Sequence, residues 1–189
     1  MPSEKYNKDV RFPPLEQLFS SIAASGAHLV VSWTWKHPEE EDWKPLPEVF
    51  FRHAVVFQQA LRATGDALRR IDPSAKMRVI AEDCVEMRKY LRDIPDMMRD
   101  PAAPEIIAGR DHLSNMDGQI AFQPKSAGSP LELADAAAFA IRHYLSGHRD
   151  GAWALRHLLG REGGEDLFAQ SRQTTGGTIV IQLGKPAML

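Results

Sequence analysis

The stretch that most constrains this chain is Ser129-Pro-Leu-Glu-Leu-Ala-Asp-Ala-Ala-Ala-Phe-Ala-Ile-Arg-His-Tyr-Leu145. Ser129 is a good N-cap, and Pro130 falls at the first helical position, where its missing N–H costs nothing. Ser129 and Glu132 have the spacing of a capping box. Leu131, Ala134, Ala138, Ile141 and Leu145 recur at helical spacing, and this predicts one apolar stripe. Asp135 lies beside that stripe, flanked by Leu133, Ala134, Ala136, Ala137, Ala138 and Phe139. A carboxylate in apolar company is costly unless a metal or hydrogen bonds compensate it. Asp135 is therefore the first candidate functional residue.

Upstream, apolar runs and helical patterns alternate. The spacing predicts a helix over 15–24, a strand over 27–35, a long helix over 46–71 with a weak point at Gly65, and a strand over 75–81. A helix over 85–93, interrupted by Pro95, and a short strand over 118–123 come next. After the opening helix, a further helix over 150–159 closes at Gly160, and a short helix over 165–170 follows. Thr178-Ile-Val-Ile-Gln-Leu183 reads as an edge strand or an oligomer contact. Such alternation argues for an α/β layered fold with a largely parallel central sheet. The expected organisation is a flexible lead-in over 1–14, one domain over 15–160 and an extension over 161–189.

Charge and cysteine content narrow the function classes. A net charge of -2 gives no field that would by itself hold nucleic acid or an anionic membrane. It leaves room for an enzyme with a local acidic site. Cys84 is the single cysteine, so no intramolecular disulfide forms, which suits a reducing compartment. The first residues lack a basic-then-apolar leader, and no run approaches the roughly 18 apolar residues of a membrane span. A cytoplasmic protein without membrane association is expected.

Glu82 and Asp83 directly follow the strand ending at Ala81. In open α/β sheets ligands sit beyond the carboxyl ends of strands. The pair is placed where chemistry is done, though either residue would equally serve as N-cap of the next helix. Carboxylates converging from a strand end and a helix suit Mg²⁺, which takes oxygen ligands and keeps several waters. The seven histidines make no zinc spacing with the lone cysteine, and His143 and His148, five apart around Gly147, do not share a helical face. Asp111-His112 sits in the least readable section, 94–117. The acidic, proline-punctuated segment 36–47 reads as a solvated loop.

The pattern Ser126-x-x-Ser129-Pro-Leu131-Glu-Leu133-Ala134-Asp135-x-x-Ala138-Phe139-Ala140-Ile141-Arg142 resembles the C-terminal signature of an uncharacterised bacterial and phage family, domain-of-unknown-function family number 3800. The upstream order also resembles it: a strand, a long helix with an aromatic start at Phe50-Phe51, and a strand ending in Glu82-Asp83. The resemblance covers roughly residues 15 to 147. It implies an RNase H-like fold, a mixed sheet with helices on both sides, and Mg²⁺-dependent chemistry on nucleic-acid phosphodiesters. Asp135 would be the helix carboxylate of that site, and Glu82 or Asp83 the strand-end carboxylate. The family's opening Asp-Glu-Ser-Gly strand has no counterpart here, and Glu132 stands where glutamine is usual. The chain reads as an N-terminally shortened member, whose exposed sheet edge invites a second copy. Two functions follow from this: a nuclease, or an inactive binding or assembly module of the same fold.

Overall fold

The computed structural model describes residues 8–34, 48–102, 112–126, 129–160, 166–169 and 176–183. The predicted loop 36–47 lies outside them, as does Asp111. The elements run α1 (Lys8–Ala24), β1 (His28–Thr34), α2 (Glu48–Ile71), β2 (Ile80–Glu82), α3 (Val85–Leu91), α4 (Ile94–Arg99), β3 (Ala121–Gln123), α5 (Pro130–Leu145), α6 (Gly151–Leu159), α7 (Asp166–Ala169) and β4 (Gly176–Gln182). The architecture is mixed α/β. The chain divides into two compact units: residues 1–29, 128–173 and 182–189 form the first, and residues 30–127 and 174–181 the second.

The first unit is helical. α1 starts at Lys8, earlier than Pro13-Pro14 suggests, so those prolines lie within the helix. Its buried residues are Phe19, Ile22 and Ala23, while Leu15 and Leu18, which share helical spacing with Phe19 and Ile22, are half-buried. Ser129 caps α5 as the sequence predicts, its hydroxyl accepting from the Glu132 N–H at 3.3 Å. The buried face of α5, however, is Ala137, Ala140, Ile141 and Tyr144. Ala134, Ala138 and Asp135 are exposed, so the predicted stripe is rotated and Asp135 needs no compensating partner to offset burial. Alanines surround the whole helix, and periodicity alone cannot choose among their faces.

α5 packs on α6, whose Ala154, Leu155, Leu158 and Leu159 are buried. Gly151 makes this approach close: a Cβ there would stand 2.6 Å from the His143 carbonyl oxygen. Gly160 takes φ 65° and ends α6 in the left-handed conformation that glycine adopts without strain. Ser129→Ala should lower stability by about 1 kcal/mol, read as a drop in the urea midpoint with unchanged slope. An unchanged midpoint would show that the cap bond contributes nothing.

The second unit holds the long helix and the parallel strands. β2 pairs with β3 in register Ile80↔Ala121, Ala81↔Phe122 and Glu82↔Gln123. A parallel bridge between Met77 and Met116 precedes it. Leu61 of α2, Met77, Ile94 and Met98 of α4, Leu113, Met116 and Ile120 form one buried cluster. Pro95 does not simply break a helix; it falls in the first turn of α4, where proline is tolerated.

β4 pairs with β1. The Ser32 and Thr178 hydroxyls lie 2.9 Å apart, and the Leu183 N–H donates to the Ala27 carbonyl at 2.9 Å. Sequence thus advances along one strand as it retreats along the other, and the pair is antiparallel. The terminal apolar run is a partner of β1. Instead of one central parallel sheet, the described residues form two two-stranded sheets. β2 and β3 have three residues each, which is short for building a wide sheet. Among the described residues no helix is long and apolar enough to cross a membrane.

Candidate functional site

β2 runs one residue past the predicted end at Ala81, so Glu82 is its last residue and Asp83 the first beyond it, and Asp83 is already engaged. The Arg88 Nε donates to one of its oxygens at 2.8 Å, and the other oxygen meets a terminal nitrogen of the same guanidinium. This fork is the strong geometry for an arginine–carboxylate pair. The Arg88 guanidinium also lies 5.8 Å from the centre of the Phe122 ring, within cation–π range. Neither acid caps α3: Cys84 holds the N-cap position and makes no side-chain cap bond. The Cys84 thiol is half-buried and points to Glu86 at 3.8 Å. Glu82 is exposed. Asp135 belongs to the first unit and Glu82 and Asp83 to the second. Among the described residues no group of three or more His, Cys, Asp or Glu side chains is arranged to hold a metal.

A different constellation occupies α2. Asp66 accepts from two sides. His112 Nδ1 lies 2.8 Å from its Oδ1, and the Arg69 guanidinium bonds the same oxygen. Burial alone would raise the Asp66 pKa, but the hydrogen bonds from His112 and Arg69 and their positive charge together hold it below the usual carboxylate value. Gly65 makes the arrangement sterically feasible. Any Cβ at that position would collide with the His112 backbone carbonyl, so the helix is bare where the residue 112 segment crosses it. The predicted weak point of α2 is thus a close-approach site. Asp66 and His112 line a cleft of about 430 Å³ with Gln59, Arg62, Ala63 and Thr178.

Sequence reasoning passed over Asp66 because it read as an ordinary polar residue of a long helix. The available signal was Gly65 immediately before it. A glycine inside a helix costs about 1 kcal/mol relative to alanine and calls for a packing reason. The histidines of the first unit show a second omission. Gly147, at φ 70°, turns the chain back so that the His143 and His148 rings stand 4.6 Å apart. The His143 ring also lies 4.0 Å from Phe139. Burial, aided by the neighbouring His148 and Arg142 charges, lowers the His143 pKa. Five-residue spacing excludes a shared helical face, but it does not exclude contact across a turn.

Comparison with protein-family models, with curated proteins and with solved structures finds no match to this chain.

Proposed function

We propose that this chain is an RNase H-like protein acting on nucleic-acid phosphodiester bonds, with Glu82 and Asp83 as metal-binding carboxylates at the end of β2 and Asp135 in the role that the resemblance gives it, the helix carboxylate. The observation that carries this reading is the parallel β2–β3 pair, which has an acidic couple at the carboxyl end of β2. That is where open α/β sheets place their ligands. The order also supports it: β3 is followed by a capped helix carrying Asp135, as in the resembled signature. The donor chemistry fits a hard divalent cation, since Glu82 and Asp83 are both carboxylates and Mg²⁺ needs only one or two of them. When bound, such an ion supplies charge neutralisation at the phosphate and lowers the pKa of an attacking water. Glu82, exposed at the strand end, would contribute an oxygen directly. Asp83 would have to share its carboxylate with Arg88.

That fork favours a second reading, a binding module of the same fold without catalysis. A carboxylate neutralised by a bidentate arginine is already satisfied and offers less to a cation.

The test is incubation with supercoiled plasmid and with single-stranded RNA, each with Mg²⁺, Mn²⁺ or EDTA. The expected result is divalent-dependent cleavage. Asp135→Asn and Glu82→Gln should each lower it by about two orders of magnitude, the scale of removing an electrostatic stabiliser of the transition state. Cleavage unchanged in both variants would remove these residues from the site. No cleavage with either metal, together with retained nucleic-acid binding, would establish the module reading.

A further inference from the structure

We propose that the free edge of β2 is a dimerisation surface, on which the β2 strand of a second copy of this chain pairs antiparallel. The inference does not rest on the phosphodiester reading, since it uses the backbone edge and side chains of Arg78, Ile80 and Glu82 and needs no metal.

The free edge follows from the register. The Ala121 N–H donates to the Val79 carbonyl, and the Asp83 N–H donates to the Gln123 carbonyl. Alternate residues of a strand direct their N–H and C=O to opposite sides. Val79, Ala81 and Asp83 therefore serve β3, while Arg78, Ile80 and Glu82 turn theirs away from it. Among the described residues no strand pairs with that side. Ile80 is 37% exposed, and Arg78 and Glu82 are exposed as well. An open strand edge is a template for another chain.

The side chains select the occupant. Arg78 and Glu82 flank Ile80 at equal spacing with opposite charge, and neither has an ionic partner among the described residues. A two-fold axis beside Ile80 sets it against Ile80 of the second copy, and each Arg78 against the other copy's Glu82. An isologous contact needs this self-complementarity. A parallel arrangement would set Arg78 on Arg78 and Glu82 on Glu82, and like charges directly opposite destabilise a strand pair. Ala121, the β3 neighbour of Ile80, extends the apolar line across the sheet. The Glu82 carbonyl accepts from the Cys84 N–H at 2.9 Å, and its second lone pair remains for the partner strand.

The assembly closes at two copies. Both β2 edges are consumed, and the outer edges of the joined sheet belong to β3. There the outward-facing positions are Ile120, Phe122 and Pro124. Ile120 is buried and Pro124 has no N–H to donate, so that edge does not template a further strand. The β2 edge is short, and main-chain bonds over so few residues give a weak, reversible dimer.

The experiment is sedimentation velocity of the full chain in EDTA at low salt, at concentrations up to about 1 mM, the weak end of specific affinities. The expected result is a reversible monomer–dimer equilibrium in the high-micromolar range. Arg78→Glu and Glu82→Arg, each alone, should weaken it about tenfold, because two opposite-charge pairs become two like-charge pairs. An equimolar mixture of those two variants should recover the dimer, since each charge then meets its opposite across the axis. Ile80→Lys should abolish association, and Arg70→Glu, exposed on α2, should leave it unchanged. Circular dichroism confirms that each variant folds. Should a charge variant not fold, Ile80→Lys carries the test. Four results overturn the proposal: a monomer at every concentration; association unchanged in the folded Arg78, Ile80 and Glu82 variants; a mixture no more dimeric than either variant alone; or species larger than a dimer.

Discussion

Gly65→Ala is expected to destabilise the chain, although alanine is the better helix former by about 1 kcal/mol. The added methyl has no free space. It would meet the His112 backbone carbonyl, which cannot rotate away as a side chain can. Relief requires either α2 or the residue 112 segment to move. Overpacking of this kind costs roughly 1–3 kcal/mol, and a backbone obstacle places the change at the upper end. A loss of about 2 kcal/mol corresponds to a fall of roughly 4–8 °C in Tm for a chain of this size. The shift of His112 away from Asp66 should also break their 2.8 Å contact and move the His112 ring resonances in NMR spectra. A variant as stable as the parent, with unmoved His112 resonances, would mean that the residue 112 segment does not cross α2 so closely.

Phe19→Ala should have the larger effect. Phe19 is 0% exposed, and its ring meets Trp153 edge-on with centroids 6.3 Å apart. Truncating a buried phenylalanine costs about 3–5 kcal/mol, because the surroundings only partly fill the cavity. Total stabilities are about 5–15 kcal/mol, so the first unit would lose a large part of its margin. Hydrogen exchange checks this locally: protection in α5 and α6 should fall sharply. Phe19→Leu, which keeps much of the volume, should lose less. Equal, small losses for both variants would contradict the burial of Phe19.

The two predictions rest on features that differ in how readable they are. Phe19 sits in an amphipathic pattern with Leu15, Leu18 and Ile22, and local spacing suffices to find it. The ends of α5 and α6 were legible for the same reason, because Ser129, Gly147 and Gly160 act within one turn of the helices they bound. The buried face of α5 was not. Its alanines lie on every side, and only the packing of Ala137, Ala140, Ile141 and Tyr144 selects one. The contact of Asp66 with His112 spans 46 positions, and the meeting of Ser32 with Thr178 spans 146. No local period encodes such pairs. The acidic couple at β2 was found by its place after a strand, while its tie to Arg88 depended on a helical side chain folding back.

The order in which the chain is made bears on how it folds. Residues 30–127, most of the second unit, emerge from the ribosome as one continuous piece. The first unit cannot close then: α1 ends at Ala24, and its partner α5 begins only at Pro130. Domains generally form as units during synthesis, so the α2 segment can collapse while α1 still waits with Phe19, Ile22 and Ala23 uncovered. Contacts so distant in sequence are slow to form. During that interval the apolar side of α1 is the nascent chain's exposed surface, the one a chaperone would hold or a neighbouring chain would stick to.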